Sequence, residues 1–317
     1  MTDAQPAIAV IIPAFNAVDT LGQALASVAA QSCAPAEVIV GDDCSTDDTA
    51  AVAGHWAGRL PVRVVKTPTN SGPAAARHTA ITASAAPILA LLDADDVWFP
   101  DHLESLASTW ERFGGVAMAD ALRWVPGQAI ARVSWSELLP VPPPPQQLLA
   151  LCLENFGFIG SLFARTDYDA AGGFRAQFHG TEDWDLWIRM ARRGVPITSA
   201  GHPTVLYRLT AGSVSSEDRL IDPKIAVLEH ARREAASAAE LAALRRGLRR
   251  LHAERHLFTA YRLAGEGGAA AARLHGLAAL RGTRRVARRG LAVAVAPAST
   301  AARRAAARQP PQARLHG

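Results

Sequence analysis

The sequence predicts an α/β fold: a mostly parallel central sheet covered by helices on both faces, with a helical C-terminal extension. Three observations carry this. Strand and helix signals alternate through the first 120 residues, the strand candidates are nearly unbroken aliphatic runs of the kind buried on both faces, and beyond residue 225 the chain turns Ala/Arg-rich with helical spacing.

In order, IAVIIP (8 to 13) is the first strand, and Leu21, Leu25 and Val28 then repeat at helical spacing behind a candidate cap, Asp19. EVIVG (37 to 41) is the second strand. Ser45 with Asp48 three residues on has a capping-box pattern opening a second helix, and VRVV (62 to 65) is the third strand. A helix near 73 to 84 leads to PILALL (87 to 92), the fourth strand, and another helix begins near Pro100, with Asp96 or Asp101 as its cap. From 121 to 160 the pattern loosens. VPPPP (141 to 145) reads as a stiff extended connector, NFGFIGSLFA (155 to 164) resumes the core, and AGGF (171 to 174) marks a tight turn. GTEDWDLWIRMARRG (180 to 194) reads as a helix ending at Gly194, and PTVLYRL (203 to 209) as a strand. Leu241, Leu244, Leu248, Leu251 and Phe258 form a stripe too short for a coiled coil and suited to ordinary packing.

The 317 residues, 49% hydrophobic, suffice for one large domain with an appendage and exclude a wholly disordered chain. Cys33, Cys44 and Cys152 lie far apart without metal-ligand spacing, which argues against a disulfide framework or a zinc site and fits a reducing cytoplasm. No basic region precedes IAVIIP, so it reads as a strand and not a signal peptide. No stretch reaches the roughly 18 apolar residues of a spanning helix. The net charge of +4 is uneven: no acidic residue follows Glu266, while nine arginines run from Arg281 to Arg314. That tail suits either a solvated, partly disordered end or contact with nucleic acid or an anionic membrane surface.

Each polar cluster of the first half falls just past a predicted strand: Pro13 to Asn16, Asp42 to Ser45, Lys66 to Gly72, and Asp93 to Asp96. Ligands of open α/β sheets bind at that carboxyl edge. Three close aspartates would repel and raise one another's pKa, and a bound Mg²⁺ or Mn²⁺ is the economical remedy, since such ions are held by one or two carboxylates plus substrate phosphates. Helix capping accounts for one of the three, not all.

Together VIIPAFNA (10 to 17), VIVGDDCSTDDT (38 to 49), NSGPAAARHTAI (70 to 81), LALLDADDVWFPDHL (89 to 103), AGGF and TEDWDLWIRMARRG (181 to 194) resemble the family 2 glycosyltransferases, inverting sugar transferases of the GT-A fold. The resemblance covers about residues 7 to 215. It implies that Pro13, Phe15 and Asn16 form the first nucleotide-binding loop, Phe15 standing where the family often has tyrosine, and that Asp42 and Asp43 read the base. Gly72 and Arg77 match the segment that crosses the nucleotide, the arginine suiting either a bidentate contact or a structural ion pair. Asp93, Asp95 and Asp96 match the DXD-type motif that meets ribose and a metal-bound diphosphate. Glu182 and Asp183 match the acceptor-site acidic pair, Asp183 being the catalytic base, although a first helical turn also favours acidic residues. Trp184 is an acceptor-site candidate for stacking on sugars, whereas Trp187 suits packing; Arg208 and Ser213 match a loop that closes over the donor.

The resemblance implies a UDP-sugar donor, with dTDP-sugar next, a glycan or lipid-linked acceptor, and a role in polysaccharide or cell-envelope synthesis. It divides the chain into a transferase domain (1 to 220, with a nucleotide-binding half to 120 and an acceptor half from 121), a helical extension (221 to 280) and a basic, flexible tail (281 to 317). The expected location is cytoplasmic, with a peripheral membrane contact through the tail and no nucleic-acid partner. Two rivals stand beside it. A sugar nucleotidyltransferase would ordinarily bring a Gly-rich phosphate loop with a basic residue, which VIIPAFNAVDTLG lacks, and a non-catalytic nucleotide-sugar binder would need no base.

Overall fold

The first aliphatic run forms β1 (Ile8–Ala14), with all seven residues buried in the computed structural model, which describes residues 7 to 131, 133 to 209 and 217 to 265. β2 (Glu37–Asp42) and β4 (Ile88–Leu91) pair with β1 in parallel, and β3 (Val62–Lys66) extends the sheet beside β2. Crossovers are made by α1 (Leu21–Ala29), α2 (Thr49–Gly54) and α3 (Pro73–Ala83). α3 lies close on the sheet because Gly41 has no side chain, and a Cβ there would run into the Ala76 carbonyl. The chain steps outward from β1 to β3 and then returns to β4 on the other side of β1, so the strand order reverses at β1 and opens a crevice at the carboxyl edge.

Beyond β4 the sheet is mixed, in the order β3-β2-β1-β4-β7-β6-β8-β5. β7 (Ser161–Ala164) runs antiparallel to β4 and to β6 (Val116–Trp124); β8 (Ile197–Arg208) is parallel to β6, and β5 (Val97–Trp98) is antiparallel to β8. Only β5 and β7 therefore oppose the common direction. β6 reaches into the stretch whose sequence pattern loosens. Its register with β8 shifts around Asp120, whose buried carboxylate accepts from the Ala121 and Ser136 N–H groups and the Ser136 hydroxyl, a polar interruption that hides the strand's period.

α4 (His102–Phe113) lies between β5 and β6; α5 (Trp135–Leu138) and α6 (Pro144–Leu151) separate β6 from β7. The expected extended connector VPPPP is corrected in part, because Pro144 and Pro145 open α6, where a first-turn residue has no N–H to lose. α7 (Arg165–Ala170), a 3₁₀ turn at Ala176–Phe178 and α8 (Glu182–Arg192) precede β8. The expected caps also differ. Asp19 does not cap α1; the Ser45 hydroxyl accepts from Asn16 N–H instead of capping α2; and Asp101, at the α4 N-cap, pairs with His202.

Residues to Leu248 form one compact unit and those from Arg249 a second. The extension is helical, comprising α9 (Glu217–Arg233) and α10 (Ala238–Gly265). Leu244, Leu248 and Leu251 of the predicted stripe are buried, and Leu241 and Phe258 half-buried. Gly247 lets α10 approach the Cys152 carbonyl. Among the described residues no helix is long and apolar enough to cross a membrane. Ser213 and the arginine-rich tail lie outside the described residues.

Candidate active site

The loops leaving β1, β2 and β3 are tied to one another at the carboxyl edge. Pro13 is buried within β1, Phe15 is 49% exposed, and Asn16 takes a left-handed backbone (φ 47°). Asn16 Oδ1 accepts from Thr46 N–H at 2.9 Å while its own N–H donates to Ser45 Oγ, so the first loop is fastened to the second. Asp42 is buried, accepting from Ser45 N–H at 2.9 Å and lying 3.6 Å from Lys66 Nζ. Asp43, also buried, has both carboxylate oxygens occupied: Thr67 Oγ1 at 2.7 Å, Ser71 N–H, and Gly72 N–H at 2.6 Å donate to them. It folds the third loop over the end of β2. Gly72 begins α3 at φ 86°, and a Cβ there would sit 2.5 Å from the ring of His179.

Arg77 decides between its two alternatives in favour of the ion pair. Only 4% exposed, it donates through Nη1 to Glu182 Oε1 at 2.6 Å and through Nη2 to Asp93 Oδ1 at 2.5 Å, with its guanidinium carbon 5.6 Å from the Phe174 ring centroid. The planar fork holds two carboxylates that are 89 residues apart in sequence, 93 and 182, a geometry lysine could not supply. Among the described residues, Arg77 Nε and Glu182 Oε2 are buried without a hydrogen-bond partner.

Asp93, Asp95 and Asp96 do not converge on one point: no group of three His, Cys, Asp or Glu among the described residues could hold an ion. The outer two are engaged elsewhere: Asp93 pairs with the Arg77 guanidinium, and buried Asp96 accepts from the main-chain N–H of Arg208 at 2.9 Å. Arg208 is itself fixed: Nε donates to the Asp95 carbonyl and Nη2 to Gln23, both at 2.6 Å, with Trp124 4.3 Å beneath its guanidinium. Asp95, like Asp96, forms no ion pair among the described residues. Burial, then the charge of Asp93, pushes its carboxyl up to about 6, and burial with the Asp93 and Asp95 charges raises Asp96 as well. One or two carboxylates whose charge is poorly compensated fit a divalent cation completed by substrate phosphates.

α8 supplies the last carboxylates. Asp183, in the first turn, accepts from Trp184 N–H at 2.7 Å through Oδ1 and from Asn155 Nδ2 at 3.2 Å through Oδ2. Burial, then Glu182, pushes it up to about 6, opposed by those donors and by Arg77. Trp184 is 1% exposed and donates its indole N–H to the Leu151 carbonyl, so the stacking face expected of it is covered by protein. Trp187 packs as expected, against Phe163 and over Gly157, whose missing Cβ admits the ring. Asn155, Gln23, Trp124 and His179 carried no signal in the sequence, since only the fold brings them to this edge.

A mostly parallel sheet with a reversal at β1, acidic loops at its carboxyl edge and a carboxylate-bearing helix arriving from the second half defines a GT-A glycosyltransferase. The chain belongs to glycosyl transferase family 2, whose model matches residues 9–168. It is 35% identical over 244 residues to the succinoglycan biosynthesis protein ExoU of Rhizobium meliloti, covering 71% of this chain and 68% of that protein. The structure of S. aureus TarS 1-349 in complex with UDP-GlcNAc superposes with a TM-score of 0.62 at 15% identity, over 87% of this chain and 92% of that one. The mannosyltransferase PcManGT from Pyrobaculum calidifontis, in complex with GDP-Man and Mn²⁺, gives 0.58 at 20% identity, over 96% and 84%.

Proposed function

We propose that this glycosyltransferase moves a sugar, with inversion, from a nucleoside diphosphate donor, UDP first and dTDP next, to a hydroxyl of a glycan or lipid-linked acceptor in polysaccharide synthesis. The observation that carries the reading is the Arg77 bridge, because it sets the Asp93–Asp96 loop beside the helix that bears Asp183. The ExoU relative and the UDP-GlcNAc complex of TarS support the pathway and the donor.

In this reading Phe15, Asn16, Asp42 and Gly72 border the nucleotide, and Asp43 and Arg208 hold the loops around it. The acceptor oxygen attacks the anomeric carbon from the face opposite the diphosphate. Its proton passes to Asp183 as the new C–O bond forms, and the old anomeric C–O bond breaks with its electron pair leaving on the nucleoside diphosphate. Mg²⁺ or Mn²⁺ held by Asp95 would neutralise charge on that leaving group; that PcManGT is in complex with GDP-Man and Mn²⁺ supports a divalent ion. Residues 1 to 220 form the transferase domain in this reading, Glu182 orienting the Asp183 helix through Arg77.

A panel of nucleotide-sugars scored by thermal shift with and without Mn²⁺ tests the donor and the metal together, since a ligand that binds the native state raises its apparent stability. One UDP- or dTDP-sugar should give a Mn²⁺-dependent shift that Asp95→Asn abolishes. Equal shifts in excess chelator would remove the metal, and release of pyrophosphate in place of a nucleoside diphosphate would reject sugar transfer.

A further inference from the structure

Resting on Asp183 as the base, we infer that Asn155 is a positioning residue that locks the Asp183 carboxylate with Oδ2 presented to the acceptor proton. The amide can sit only one way round. Its Oδ1 accepts from Gly157 N–H at 3.0 Å, so Nδ2 must be the group that meets Asp183 Oδ2; the flipped amide would set donor against donor at Gly157 and oxygen against oxygen at Asp183. The loop that carries it is clamped from two sides. Trp135 donates its indole N–H to the Phe156 carbonyl at 3.2 Å, and Gly157 lies against Trp187, one turn along the helix that bears Asp183. The base and its holder are therefore packed as one body.

The two carboxylate oxygens are held differently. Oδ1 takes a backbone N–H of its own helix, which would survive any movement of the 152 to 160 segment; Oδ2 takes a side chain from that segment alone. An oxygen that receives a proton needs a free lone pair, and a single long hydrogen bond of 3.2 Å leaves one. The charged groups acting on Asp183 are Glu182 beside it on α8 and Arg77 from α3. His179 precedes the helix, Cys152 and Glu154 lead into Asn155, and the end of α9 brings Glu234, which pairs with Arg175 and Arg192, and His230, which pairs with Glu234 and meets Arg233.

Asn155→Asp is the discriminating variant, because it keeps the acceptor for Gly157 N–H, and so the loop, while replacing the donor to Asp183 by a like charge. Sugar transfer by N155D should show its acid limb moved up by about one pH unit or more, a loss of about fivefold or more at the parental midpoint that recovers at alkaline pH, with donor binding and acceptor KM unchanged. Asn155→Ala, which removes the donor without adding charge, should move the limb less. A limb at the parental pH in both variants, or a loss equal at every pH, would overturn the assignment. Asp183→Asn separates the two readings: if it is inactive while N155D keeps the parental profile, Asn155 alone fails, and if it transfers sugar at the parental rate, the base reading fails first.

Discussion

Asp183 is least comfortable in the ionised form that the proposed mechanism requires. Burial and Glu182 lift its carboxyl to about 6, above the 3.8 of an unperturbed aspartate, so the folded state holds its proton more tightly than the unfolded state does. The linked stability is present below pH 3.8 and is lost as pH rises through about 6, where the ionised base appears. Transfer should accordingly rise with pH along an acid limb centred near 6 and then level off. Asp183→Asn should lower transfer by roughly 10²- to 10⁴-fold with donor binding intact. It should also be more stable than the parent at pH 8, on the order of 1 to 2 kcal/mol after allowing for the partial exposure of the group, and no more stable at pH 3. Urea denaturation at the two pH values checks the sign. A variant equally inactive but less stable at pH 8 would mean that the carboxylate is structural.

At the scale of elements, the AGGF turn shows why a short motif can matter without touching a substrate. Arg189 of α8 pairs with Asp185 at 2.6 Å and donates to the carbonyls of Ala171 and Gly173, so the turn is bolted to the helix that carries Asp183. Gly172 (φ 82°) and Gly173 (φ 66°) are both left-handed, but a Cβ at Gly172 meets nothing nearer than 3.9 Å, while at Gly173 it would lie 2.9 Å from the Tyr168 hydroxyl. Gly172→Ala should therefore cost about 1 to 2 kcal/mol of backbone strain, and Gly173→Ala measurably more, because Tyr168 must move and its bond with Phe174 N–H is lost. Equal urea midpoints for the two variants would reject this account. The same comparison separates what was legible in the sequence from what was not. β1, β2 and β4 are uninterrupted aliphatic runs and were readable, as was the positive-φ turn at the paired glycines. β6 was not, because Asp120 and a register shift break its period, and α6 was not, because prolines in a first turn look like an extended run. The candidate carboxylates could be found from spacing and resemblance, but not their states. Nothing in LLDADD says that the Asp93 carboxylate meets the Arg77 guanidinium, that the Asp96 carboxylate takes the Arg208 main-chain N–H, or that Asp95 offers the Arg208 side chain only its carbonyl.

For the first 248 residues as a whole, the bridge from Asp93 through buried Arg77 to Glu182 joins the loop after β4 to α8, and its stability can be argued from charge. Five carboxylates, Asp93, Asp95, Asp96, Glu182 and Asp183, gather near two guanidinium groups, Arg77 and Arg208. A buried ion pair contributes little relative to an apolar replacement of the whole set, but removing one partner strands the others. Arg77→Met keeps the apolar contact with Phe174 and deletes the charge, so at pH 8 it should cost about 3 to 5 kcal/mol. Protonation at low pH relieves stranded carboxylates, hence the difference from the parent, measured by urea denaturation, should shrink at pH 5. Adding Asp93→Asn and Glu182→Gln to Arg77→Met should restore much of the loss at pH 8, although three residues are then changed, because neighbouring sites in one network are not additive. A penalty that is the same at both pH values and survives the triple change would assign Arg77 to packing alone. Restoration of stability without restoration of transfer would instead show that the bridge acts in catalysis by fixing the distance between the two halves of the site.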